Sequence, residues 1–133
     1  MTVIHVIIAM AMALAPASET PEAPTDYQAL ETAKFSRPIS YSSQHERAAE
    51  RTAKKAACDL PVVDRWVFAK IHAALLIAPD GEILRIVPVE SRCRELEIFM
   101  ANHLAKYGPK AGPQSSGTEP LWYKTTMNFR WPE

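Results

Sequence analysis

The chain has 133 residues, room for one domain, and its 15 Lys and Arg are balanced by 15 Asp and Glu. Zero net charge and a pI near 6.9 exclude the broad cationic footprint of a nucleic-acid or anionic-lipid binder. Lys54-Lys55 is the one adjacent basic pair, too little to carry such a role.

Met1 to Ala17 contains no Lys, Arg, Asp or Glu, and Ala15-Pro16-Ala17 has the small-x-small form that precedes a cleavage site. The run is read as a secretory signal peptide cut between Ala17 and Ser18. Its n-region departs from the pattern in carrying only the α-amino group and His5. An uncleaved apolar anchor is the alternative, disfavoured because the run is shorter than the roughly 18–20 residues a membrane-spanning helix needs. Residues 18–43 hold Pro21, Pro24 and Pro38 among Ser, Thr and Glu, a composition expected of a flexible spacer. Within it Phe35, Ile39 and Tyr41 form the stretch suited to touch a domain, as an extended strap.

The domain is expected over residues 44–133. Ser43-Gln44-His45-Glu46 has the S-x-x-E form of a capping box ahead of an Ala-rich run to Ala57. A surface helix is expected there, offering the thin face of Ala49, Ala53, Ala56 and Ala57. Leu60-Pro61-Val62-Val63 reads as an extended connector, since proline disfavours helix at Leu60. The run from Trp66 to Glu90 is a hairpin: two β-rich stretches flank Pro79-Asp80-Gly81, and Asp-Gly between alternating apolar residues is a strong hairpin signal. Ala69, Ile71, Ala73, Leu75 and Ile77 fall on one face, with Lys70, His72, Ala74 and Leu76 on the other. Pro88 cannot donate to a ladder, which predicts an edge or a bulge late in the second strand.

Arg92 to Tyr107 has helical periodicity, with Leu96, Phe99, Met100, His103, Leu104 and Tyr107 on one face and Ser91 as N-cap. Gly108-Pro109 is expected to end it. A Gly-, Pro- and Ser-rich loop leads to a last alternating strand, Leu121 to Trp131. Leu121, Tyr123, Met127, Phe129 and Trp131 face the helix in this reading, and Trp122, Lys124, Thr126, Asn128 and Arg130 face outward. The fold class is therefore α+β: a small antiparallel three-stranded sheet of hairpin, helix and final strand, with an additional N-terminal surface helix.

Export changes how the cysteines read. Cys58 and Cys93 are the only two, and outside the cytosol an even pair is most often a disulfide. Metal binding is the alternative, but the spacing C-x34-C is not ligand-like and the histidines form no H-x3-H pair. No nucleophile–base pair or paired carboxylates stand together, so a non-enzymatic protein without cofactor or metal is expected. His72, His103, Asp80 and Glu82 are the groups an enzyme would have to use.

The order of strand, Asp-Gly hairpin, strand, amphipathic helix, Gly-rich loop and final strand resembles the TonB C-terminal domain of energy-transducing proteins. The matching residues are the hairpin LLIAPDGEILRIVPVES, the helix CRELEIFMANHLAKY and the last strand WYKTTMNFRW. The chain departs from that family in its short N-terminal apolar run, its short spacer, and the lack of a Y-P-x-x-A element before the hairpin. The resemblance implies a stand-alone, exported interaction domain that takes an extended segment of an envelope protein, such as an outer-membrane receptor, by strand addition. Trp122, Lys124, Thr126, Asn128 and Arg130 would then tune partner choice. The expected location is periplasmic or secreted. The competing expectation is a small accessory protein whose sheet is satisfied by its own strap.

Overall fold

The computed structural model describes residues 21–133; the apolar N-terminal run and the Ala17–Ser18 junction lie outside them. The chain is α+β. In order it forms β1 (Glu31–Thr32), β2 (Lys34–Phe35), α1 (Ser43–Lys55), β3 (Val62–Val63), β4 (Trp66–Ile77), β5 (Ile83–Pro88), α2 (Arg94–Tyr107), β6 (Pro113–Gln114) and β7 (Leu121–Pro132). No helix among the described residues is long and apolar enough to cross a membrane.

β4 is the centre of the sheet. It pairs antiparallel with β7 along its whole length, from Trp66 opposite Pro132 to Ile77 opposite Leu121. Its other edge takes β3 at Trp66–Val67 and β5 from Ala73 onward. β1 adds to the far side of β7 as a parallel strand, so the main sheet has five strands. The expected strands β5, β4 and β7 are neighbours in it, with β5 at an edge, and the sheet is wider because the two-residue strands β1 and β3, too short to show periodicity, extend it. β2 and β6 form a second, two-stranded sheet.

The hairpin turn follows its sequence. Gly81 has φ +92°, a conformation open to glycine, and its N–H donates to the Ala78 carbonyl at 2.8 Å. Asp80 Oδ1 accepts from the Glu82 N–H at 3.0 Å. The register irregularity falls between Leu76 and Ile77, while Pro88 ends β5 opposite Ala73. Pro61 precedes a second hairpin, where Asp64 and Arg65 both take positive φ to return Val63 onto Trp66.

Both helices lie on one face of the sheet. Alternation along β4 and β7 sends Ile71, Leu75, Ile77 and Phe129 to meet Leu96, Met100 and Leu104 of α2, with Ala49 and Ala53 of α1 completing the core. Ala49 and Ala53 let α1 approach closely, while Ala56 is half-buried and Ala57, beyond the end of the helix, is exposed, so only half of the expected alanine face reaches the core. Ala74 and Leu76 on the opposite face are also buried, beneath cross-strand neighbours Trp122, Lys124, Arg85 and Val87. The Cys58–Cys93 disulfide, with Cα atoms 5.4 Å apart, ties the end of α1 to the start of α2. It points to an oxidising, non-cytoplasmic location.

Three local expectations shift. The N-cap of α1 is Ser42, not Ser43: its Oγ accepts from the His45 N–H, and its own N–H donates to His45 Nδ1 at 2.9 Å. Glu46 is thereby released from capping. Cys93 takes the N-cap position of α2, and Ser91 instead serves the buried Glu97, donating its N–H and Oγ–H to Oε2 at 2.7 Å each. Gly108 stays right-handed and leads into a 3-10 turn; the left-handed cap is Gly112, φ +72°. A Cβ there would collide with Ser36 Oγ.

Residues read as spacer also belong to this architecture. Glu31 and Thr32 pair with Tyr123 and Lys124, and Lys34 and Phe35 with Gln114 and Pro113. Phe35, Ile39 and Tyr41 pack against the core, as a strap.

Candidate functional site

Period-two geometry decides which way the backbone groups of β7 point. Odd residues of β7 carry the ladder to β4; even residues turn their N–H and C=O groups to the outer edge. Two bonds mark that direction. The Lys124 carbonyl accepts from the Ala33 N–H at 2.8 Å, and the Arg130 N–H donates to Glu46 Oε1 at 2.6 Å. Between them, Thr126 and Asn128 direct their backbone groups outward, and β1 pairs no further along β7 than Lys124. Among the described residues no strand pairs with this part of the edge.

The strap makes the gap by leaving the sheet at Ala33 and bowing away. It is held at a distance by backbone and side-chain bonds: Ser36 Oγ donates to the Ala111 carbonyl at 3.0 Å and Arg37 Nε to the Lys110 carbonyl at 2.7 Å. Further on, His103 Nε2–H donates to the Ser40 carbonyl at 2.7 Å. The space left between strap and edge is a cavity of about 630 Å³ lined by Phe35, Ile39, Tyr41, Met127, Thr126 and Asn128, among others. Its lining is mixed, with Phe35, Ile39 and Met127 as its apolar part and Arg37 and His103 among the polar groups, and one wall is an unpaired strand edge. That combination suits an extended backbone carrying an apolar side chain.

An aromatic cluster braces the far end. The rings of His45 and His103 meet edge-on with centroids 4.8 Å apart, and Tyr107 lies 4.5 Å from His103. His45 Nε2–H donates to the Tyr107 hydroxyl at 3.2 Å. Burial lowers the His103 pKa, the bond to Ser40 opposes this, and the nearby His45 and Lys106 add to the lowering. Burial, with the Glu46 carboxylate adding to it, pushes the Tyr41 phenol well up.

Trp122, Lys124, Thr126, Asn128 and Arg130 all lie on the outer face, as their alternation requires. Four of the five are engaged within the chain. Arg85 lies over the Trp122 ring at 5.4 Å, and Arg130 over Trp66 at 4.3 Å. Lys124 Nζ donates to the Gln28 carbonyl at 3.1 Å. Thr126 Oγ1 lies 2.8 Å from His72 Nδ1 and 3.3 Å from the Tyr27 hydroxyl. Burial, with Lys70 and Lys124 nearby, lowers the His72 pKa. Asn128 makes no side-chain hydrogen bond among the described residues. The structure thus gathers the five residues on β7, but their backbone edge is freer than their side chains.

Glu46 and the strap were not among the site residues named from sequence. The S-x-x-E form places Glu46 in a capping box, and only the position of Ser42 one residue earlier frees it. The Cys58 and Cys93 sulfurs lie close to a Glu95 carboxylate; joined as a disulfide, they offer no thiolate for a metal. No family model matches this chain, and neither the curated proteins nor the solved structures contain a match.

Proposed function

We propose that this chain is an exported, non-enzymatic interaction domain, similar to the TonB C-terminal domain, that accepts an extended segment of an envelope protein along the outer edge of β7. The observation that carries this is the unpaired edge at Thr126–Asn128 beside a cavity whose lining includes Phe35, Ile39 and Met127. Backbone hydrogen bonds to that edge would supply affinity, and the cavity would select an apolar side chain. An oxidised protein whose strap is docked keeps the edge pre-organised, so the ordering cost of binding falls mainly on the incoming segment. The location proposed is the periplasm or the cell exterior, and the partner class a membrane receptor segment.

The test is an NMR titration of the oxidised protein with TonB-box-type peptides from the outer-membrane receptors of its source organism. Saturable shifts centred on the amides of Thr126 and Asn128 are expected. A specific observation favours the accessory protein as second reading: β1 already occupies the edge at Tyr123–Lys124. Flat spectra from a folded, disulfide-bonded sample would leave that second reading standing.

A further inference from the structure

The edge of β7 does not end at the first cavity. A second cavity of about 470 Å³ lies further along the strand, bordered by Tyr41, Ser42, Glu46, Trp66, Arg130 and Pro132. Asn128 lines the first and Arg130 the second. The bond from the Arg130 N–H to Glu46 Oε1, at 2.6 Å, stands where one gives way to the other. A carboxylate oxygen there takes the position that the carbonyl of an added strand would occupy.

We infer that Glu46 is a gate that sets the length of segment the β7 edge accepts. This deepens the proposed strand addition and rests on it. With Glu46 in place, the open edge presents the outward groups of Thr126 and Asn128, about 7 Å of strand, which suits a segment of three or four residues. When Glu46 swings off Arg130, the Arg130 N–H is freed and the edge runs on past Tyr41, which borders both cavities, to the Pro132 carbonyl, about 20 Å from Thr126. A charge-assisted bond to a backbone amide is strong enough to hold the gate shut and weak enough to be exchanged for a partner carbonyl. Blocking strand edges with charged side chains is a general defence against unwanted pairing. Glu46 has the reach for it because Ser42 and His45 close the capping box without it.

The experiment uses the full oxidised chain, Glu46→Ala and Glu46→Gln, with two alternating Thr/Ile peptides of four and eight residues, each ending in Lys at both termini. Glu46→Ala should bind the eight-residue peptide about tenfold more tightly than the unsubstituted protein and the four-residue peptide equally. Glu46→Gln, which keeps a neutral acceptor, should fall between. Equal affinity of the unsubstituted protein and Glu46→Ala for the longer peptide overturns the gate and leaves strand addition intact. No binding of either peptide to any of the three proteins removes both. Hydrogen exchange separates the two without ligand: the Arg130 amide should exchange about tenfold faster in Glu46→Ala while the Phe129 amide, bonded to β4, is unchanged. An Arg130 amide that exchanges at the same rate in both proteins overturns the gate whatever the peptides do.

Discussion

Replacing Ala57 by glycine should stabilise the protein. Ala57 follows the last turn of α1 with φ +54°, its N–H donating to the Lys54 carbonyl while the Cys58 N–H reaches back to Ala53 at 3.1 Å. This is a left-handed helix stop of the kind glycine usually fills. A side chain in that conformation costs roughly 1–2 kcal/mol, and glycine avoids it. Against this, glycine loosens the unfolded chain, at a cost of roughly 0.4–1 kcal/mol. Ala57 is exposed, so little packing is lost. The net is a gain of about 0.5–1 kcal/mol, or a rise in Tm of about 2–6 °C for a domain of this size. Ala56, right-handed at φ −81°, is the control: glycine there should cost about 0.5–1 kcal/mol. Urea and thermal unfolding of the oxidised proteins at one pH would measure both. If Ala57→Gly lowered stability as Ala56→Gly does, the left-handed stop at Ala57 would be refuted.

Three further outcomes follow from the packing. Reducing the Cys58–Cys93 bridge, which spans 35 residues, should lower stability by roughly 3–4 kcal/mol, seen as a large drop in the urea midpoint with dithiothreitol; an unchanged midpoint would contradict it. Ser91→Ala removes the hydroxyl that donates to Glu97, which is only 4% exposed, and should cost about 1–3 kcal/mol; the double variant Ser91→Ala with Glu97→Gln should cost less than the two singles added. His103 has a lowered pKa in the folded protein, so the unfolded chain binds its proton more readily. The corresponding stability is complete above the unfolded value of about 6.5 and declines as pH falls below it. Unfolding at pH 7.5 and 5.5 should show the loss, and His103→Phe should shrink it, leaving the share that the lowered His72 contributes.

Elements with a strong local period were legible from the residues. Asp80-Gly81 marks its turn because glycine accommodates the positive φ. The alternation from Trp122 to Arg130 assigns the two faces of β7 because successive side chains of a strand must point opposite ways. Leu96, Met100 and Leu104 mark the buried face of α2 by their helical spacing. The cysteine pair was legible from its count and the expected compartment. Glu31–Phe35 was not, since pairs of residues have no period to detect and their strand character comes from β7 and β6, far away in sequence. The α1 cap lies one residue before the serine that the S-x-x-E form selects, because His45 rather than Glu46 closes the box on Ser42, whose backbone is extended.

The sequence by itself determined the local geometry: a hairpin, two amphipathic helices, a terminal strand with an apolar and a polar face, and a cysteine pair. Only the tertiary structure decided the edge. Whether Thr126 and Asn128 are paired depends on where the strap leaves the sheet, and Ser36 and Arg37 set that by binding the backbone beyond α2. Whether Arg130 is free depends on Glu46, brought across from α1. Backbone groups are the same at every residue, so no side-chain pattern along β7 records which of them find a partner; that is settled by the distant segments that fold against it.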